Sequence, residues 1–190
     1  MRQILRMAAE LDAETKLKIY MLVVNRYKDL ISEKEERSVT EIRQRVSPYN
    51  DLVKSLRDKL LSDYHPYTYE RDFMQAAQGA ISHVTEMKTF RMLIPFWMTF
   101  EEMEELKAGG VMDKALLLTS LLRALDSRDA RVMVTRSGRA FVGFDWKGQK
   151  HLVVLESGSL LSGDDVARLL AGDPLAYSFS DLSYENDEES

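Results

Sequence analysis

The order of periodicities along this 190-residue chain predicts an α+β fold, with helices first and a small antiparallel sheet after them. Up to Leu125, apolar residues recur at spacings of three and four between capping and turn residues. Beyond Leu125 the segments "ARVMVT", "RAFVGFDW" and "HLVVLE" are β-branched and aromatic, and Ser137-Gly138 and Lys147-Gly148 supply short turns between them. These three runs predict a three-stranded meander. The length suits one domain, or one domain with an appended part. The expected division is a helical arm over 1–64, a compact body over 65–177 and an acidic, flexible tail over 178–190.

The first helix is expected over about 12–36. Leu17, Tyr20, Val24, Tyr27 and Ile31 form its apolar stripe, and Asp12, Glu14 and Thr15 place acceptors and negative charge at its start. The simplest use of the stripe is core packing; contact with a partner, including a second copy of the arm, is the other use. "SVTEIRQRV" predicts a helix over about 38–46 that stops before Pro48, because proline disfavours helical geometry at the preceding residue. In "NDLVKSLRDKLLSD", Leu52, Leu56 and Leu60 share a face and Asn50 is the cap.

"YHPYTY" is an aromatic loop broken by Pro66, with tyrosines expected to pack where arm meets body. A helix from about Tyr69 to Lys88 buries Phe73, Ala76, Ala77, Ala80, Ile81 and Val84. "FRMLIPFW", interrupted by Pro95, reads as a buried loop or short extended piece. Thr99 and Glu102 fit a capping box, and Gly109-Gly110 is a helix stop. "SGDDVARLLAGDP" predicts a late helix closed by Gly172 and Pro174, followed by the solvated "SDLSYENDEES".

Composition narrows the chemistry. The chain has no cysteine, which removes a disulfide framework, a thiolate metal site and a cysteine nucleophile together. His65, His83 and His151 are far apart and form no short ligand motif, so no metal or other cofactor is expected. A net charge of -5 argues against a generic nucleic-acid binder, although Arg37, Arg43 to Arg45 and "RDARVMVTRSGR" leave room for a local basic patch. No apolar run approaches the roughly 18 residues needed to cross a bilayer, and the N-terminus turns acidic too early for a secretory signal. The expected location is cytoplasmic.

One stretch carries more than fold information. Gly109-Gly110-Val111-Met112-Asp113-Lys114-Ala115 leads into "LLLTSLLRAL" and then "ARVMV"; Arg139-Ala140-Phe141-Val142 and a strand ending Leu155-Glu156 follow. This order resembles the transglutaminase-like superfamily, relatives of the papain-type cysteine proteases, over about residues 70–157. That resemblance implies a core of helices packed on a small antiparallel sheet. Family members carry Gly-x-Cys-x-Asp-x-Ala at a helix start, then a His-Ala-Trp-Val strand and a strand ending Leu-Asp. A cysteine there has its thiolate stabilised by free backbone N–H groups, and the histidine and aspartate take and orient the proton.

Matched residue by residue, the resemblance places the nucleophile position at Val111, the base position at Arg139 and the orienting acid at Glu156. Valine has no nucleophilic atom, and arginine stays protonated at any accessible pH. Arg139 and Glu156 are expected to form an ion pair across the old site. The implied cleft includes Trp97, Gly110, Met112, Asp113, Phe141 and His151, with His151 expected at a surface or rim position and Asp113 expected to hydrogen-bond the helix end. The expected function is a catalytically inactive, transglutaminase-like module or regulator that binds a protein or peptide. Two alternatives stand beside it: a hydrolase or transferase using the carboxylates of Glu156 and Asp113, and a nucleic-acid accessory protein.

Overall fold

The computed structural model describes residues 12–30, 39–91 and 97–186. Helices α1 (Ala13–Leu30), α2 (Val39–Gln44), α3 (Asp51–Leu60) and α4 (Tyr69–Thr85) come first. A two-residue strand β1 (Lys88–Thr89), helix α5 (Phe100–Leu106), a matching β2 (Ala108–Gly109) and helix α6 (Val111–Ala124) follow. The rest is β3 (Arg131–Thr135), β4 (Ala140–Trp146), β5 (Gln149–Val154), β6 (Ser159–Ser162), α7 (Asp164–Gly172), β7 (Leu175–Phe179) and β8 (Tyr184–Asn186). β1 and β2 pair in parallel, and the other strands form one antiparallel sheet in the order β6-β5-β4-β3-β7-β8.

Helix α6 is the hub. Leu116, Leu117, Leu118, Leu121 and Leu122 are all buried, so the helix is apolar nearly all round and lies between α3 and α4 on one side and β3 and β4 on the other. Phe73, Ala76, Ala77 and Ala80 of α4 and Val132, Val142 and Phe144 of the sheet close the same core. The small alanine face of α4 lets its backbone approach α6 closely. Local signals act where expected: the Asn50 side chain accepts from Leu52 N at 2.9 Å and Val53 N at 3.2 Å, and Thr99 with Glu102 forms a complete capping box.

Several expectations change. The sheet has six strands and not three, and the region expected as a flexible tail supplies β8 and the last two residues of β7. Tyr177 and Phe179 of β7 and Tyr184 of β8 stack in one aromatic row, with centroids 6.2 and 5.9 Å apart. Asp181, between those strands, receives a bidentate ion pair from Arg123 of α6 at 2.6 and 3.1 Å. The charges that suggest a solvated tail are therefore used in fixed contacts up to Asn186; residues 187–190 lie outside the described set. The arm boundary at residue 64 marks no break in packing, because Val53 and Leu56 of α3 belong to the core around α6.

Helix α1 presents a different face from the one expected. Ile19 and Val23 are buried, whereas Leu17, Tyr20 and Val24 are 60%, 61% and 65% exposed. Two apolar rows run along this helix, and polar anchors choose between them. Arg26 Nη2 donates to both carboxylate oxygens of Glu102 at 2.6 and 2.7 Å and its Nη1 to the Trp97 carbonyl, while Lys88 reaches Asp12 at 3.4 Å. Those ties turn the Ile19–Val23 row inward. The Tyr27 side chain and Ile31 fall outside the described residues, as do Arg37, Met92 to Phe96 and the N-terminal segment 1–11. No helix among the described residues is long and apolar enough to cross a membrane.

Candidate functional site

The N-terminus of α6 opens onto a cleft of about 450 Å³ lined by Trp97, Gly110, Val111, Met112, Asp113, Arg139 and Glu156, with Phe90, Arg91, Ser137 and Tyr177 completing much of its wall. Separated parts of the chain meet here, among them the first turn of α6, the Ser137-Gly138 turn leading into β4, and Glu156, two residues past the end of β5. The three positions matched to nucleophile, base and orienting acid thus share one cavity. Val111 is the first residue of α6 and is half-buried.

Asp113 shows how the helix start is held. Its carboxylate accepts from Gly110 N at 3.0 Å and from Met98 N at 3.2 Å, fastening the loop before α5 to the first turn of α6. Gly110 has no side chain to complete a reciprocal capping box. A Cβ there would meet an Asp113 carboxylate oxygen at 3.0 Å, so glycine allows that oxygen to reach the backbone N–H. Burial pushes the Asp113 carboxyl up to about 6 against the opposing pull of these N–H groups.

The next residue, Lys114, is 1% exposed. Its ammonium donates to the Met87 carbonyl and to Thr89 Oγ1 at 2.8 Å, tying α6 to β1. Burial pulls its pKa down to about 8, and the nearby Glu156 carboxylate pulls the other way. The sequence suggests a solvent-side lysine; the short β1–β2 pair beside it supplies the acceptors that let it be buried.

Arg139 and Glu156 line the same cleft without forming the expected ion pair. The Arg139 guanidinium lies 4.8 Å from the Phe141 ring centroid; the Asp173 carboxyl is held low first by the Ser137 hydroxyl, with a smaller share from the Arg139 charge. Among the described residues no hydrogen bond or ion pair joins Arg139 to Glu156. The stack on Phe141 draws the head group away from Glu156.

Phe141 and His151 do not line this cleft. Along β4, alternate residues point to opposite faces of the sheet. Val142 and Phe144 enter the main core, while Phe141 joins Leu152 and Val166 in a smaller core beside α7. His151 pairs with Phe144 across β4 and β5 and stacks on its ring at 5.1 Å. It is 6% exposed and shares a 2.7 Å hydrogen bond with Ser162 Oγ, so it is a core residue and not the expected rim residue. Burial lowers its pKa. Arg91 and Tyr177 are cleft residues that sequence reasoning missed. Tyr177 had a local signal, since Leu175, Tyr177 and Phe179 alternate with small residues; Arg91 had none.

Helices packed on one antiparallel sheet, with the cleft at the start of the central helix, make an α+β architecture. Among solved structures the chain is similar to LapG from Legionella pneumophila, a cysteine protease of the transglutaminase-like fold, with a TM-score of 0.55 and 14% identity over 80% of this chain and 82% of that one. Calcium-bound LapG from the same organism gives a TM-score of 0.53 at 14% identity over the same shares. No family model matches the chain, and no curated protein matches it in sequence. At this identity the likeness concerns the fold. Among the described residues no group of three or more His, Asp or Glu side chains is placed to hold a metal ion.

Proposed function

We propose that this protein is a catalytically inactive, transglutaminase-like module that binds a peptide or protein segment in the cleft at the α6 N-terminus. The observation that carries the reading is the convergence of Val111, Arg139 and Glu156 on one open cleft. The wall of this cleft at the helix start is an isopropyl group, and Arg139, which also lines it, is a permanent cation. Acyl transfer through a covalent intermediate needs a nucleophile and a base within reach of it; the positions matched to those roles supply neither. Trp97, Met112 and Tyr177 instead offer aromatic and flexible apolar surface of the kind that receives side chains.

The test is retention of a random peptide library on the immobilised protein and on a Val111→Trp variant, whose indole fills the cleft. Peptides retained by the first and released by the second support the reading. Equal retention by both would remove the cleft from the function.

A second reading has one observation in its favour. Asp113 lines the cleft with its pKa raised to about 6, in the range of a general acid. Against it, both carboxylate oxygens already accept backbone N–H groups and the residue is 4% exposed. A nucleic-acid role is weaker still, because Arg131 pairs with Glu185 at 2.7 Å and Arg43 donates to the Asp181 carbonyl at 2.8 Å.

A further inference from the structure

The charges around the cleft are not evenly answered. Arg91 and Arg139 both line it, and neither guanidinium has a carboxylate within ion-pair distance among the described residues. Two of the anions nearby are turned onto other donors. Asp113 is buried and turned onto the Met98 and Gly110 N–H groups. Asp173 accepts from the Ser137 hydroxyl at 2.6 Å and the Ser137 N–H at 3.2 Å. Glu156 is exposed at the cleft with no ion-pair partner among the described residues, and the two arginines outnumber it. The Arg139 guanidinium lies over the Phe141 ring, 4.8 Å from its centroid, and a cation held on an aromatic face keeps its charge for an acceptor. In a chain of net charge -5, two unanswered arginines beside an aromatic and apolar wall form a local complement to negative charge.

Resting on the reading of the cleft as a peptide-binding site, we propose that it selects acidic peptides, with a Glu or Asp side chain of the ligand received by Arg91 and Arg139 and a neighbouring apolar residue packed against Trp97, Met112 and Tyr177. Guanidinium groups bind carboxylates through paired N–H donors, which a neutral amide side chain reproduces poorly. The first-turn amides of α6 add a favourable field to the same carboxylate without themselves selecting it. Exposed arginines are screened by salt, so selection for acidic ligands is expected to fade as ionic strength rises.

The experiment uses three fluorescent, end-blocked peptides with identical Leu and Phe positions and either Glu, Gln or Lys between them, titrated against the full chain by anisotropy. The Glu peptide is expected to bind about tenfold tighter than the Gln peptide at low salt. The Arg91→Gln/Arg139→Gln double variant is expected to bring the ratio of Glu-peptide to Gln-peptide affinity from about tenfold to about one. Both arginines are exposed, and circular dichroism of each single variant checks that the fold persists. Equal or better binding of the Gln or Lys peptide would overturn acidic selection and leave the peptide cleft standing. No binding by any of the three would overturn both. Tight binding of a labelled RNA oligonucleotide, lost in the same double variant, would reassign the arginines to phosphate and overturn the proposal.

Discussion

Lys114 offers the most quantitative test of the structure around the cleft. Its ammonium is buried against Met87 and Thr89, with a pKa pulled down from 10.5 to about 8. Between those two values the unfolded chain holds a proton that the folded chain has released. Stability therefore rises with pH across that window. From pH 7 to pH 10 the gain is about 2.5 kcal/mol at 1.36 kcal/mol per unit, which is roughly 5–10 °C in Tm for a chain of this size. Tyr67, Tyr69 and Tyr177 have raised pKa values and pull stability down above pH 10, so the signal is the difference between wild type and Lys114→Met. The assay is urea unfolding followed by circular dichroism at half-unit steps from pH 7 to 10. The wild-type curve should climb away from the variant's as pH rises. Parallel curves would show that Lys114 keeps an ordinary pKa, and hence that its ammonium reaches water instead of the β1 acceptors.

Other positions give sharper local tests. Asp113→Ala leaves the Met98 and Gly110 N–H groups without their acceptor, so a loss of about 2–4 kcal/mol is expected in denaturant unfolding at pH 7. Because the Asp113 pKa is raised in the folded state, wild-type stability gains as pH falls from 6 towards 3.8, and the gap to the alanine variant should widen by up to about 3 kcal/mol over that range; a constant gap contradicts the assigned burial. Val111→Cys places a thiol on the first residue of α6, and its pKa from the pH dependence of iodoacetamide alkylation should fall about one unit below the free value of about 8.5; an unshifted thiol would mean that the side chain is turned away from the helix end. Arg123→Ala removes the cation from Asp181 and should cost about 2–3 kcal/mol, with faster hydrogen exchange in β7 and β8; unchanged exchange would show that those strands hold without it.

Features governed by neighbours in sequence were legible from the chain. The Asn50 cap, the Thr99 capping box and the helix starting at Val111 each depend on residues within four positions, and all appear as read. Gly110, Val111, Met112, Asp113, Arg139 and Glu156, singled out by their order in the sequence, line one cavity. Features decided at long range were not legible. Helix α1 carries two apolar rows, and contacts distant in sequence, among them Arg26 with Glu102 and Lys88 with Asp12, go with burial of one of them. The strands β6, β7 and β8 are short and interspersed with serine and acidic residues, since β6 and β8 are sheet edges with one solvent-facing side. Phe141 and His151 were misplaced for a related reason. A strand's alternation is plain in its sequence, but which alternate faces the cleft depends on how β4 enters the sheet.

The central claim is that the cleft binds without catalysing. Its most direct measurement is a single sample of protein carrying 13C-labelled Val and Met methyl groups, incubated with an acidic Leu- and Phe-containing peptide. NMR follows the protein, and mass spectrometry follows the peptide. Resonances of Val111 and Met112 should shift in a saturable manner while the peptide mass stays unchanged over a day. A peptide cleaved or modified with turnover, and spared by Asp113→Asn or Glu156→Gln, would contradict the account and restore the carboxylates of this cleft to an enzyme.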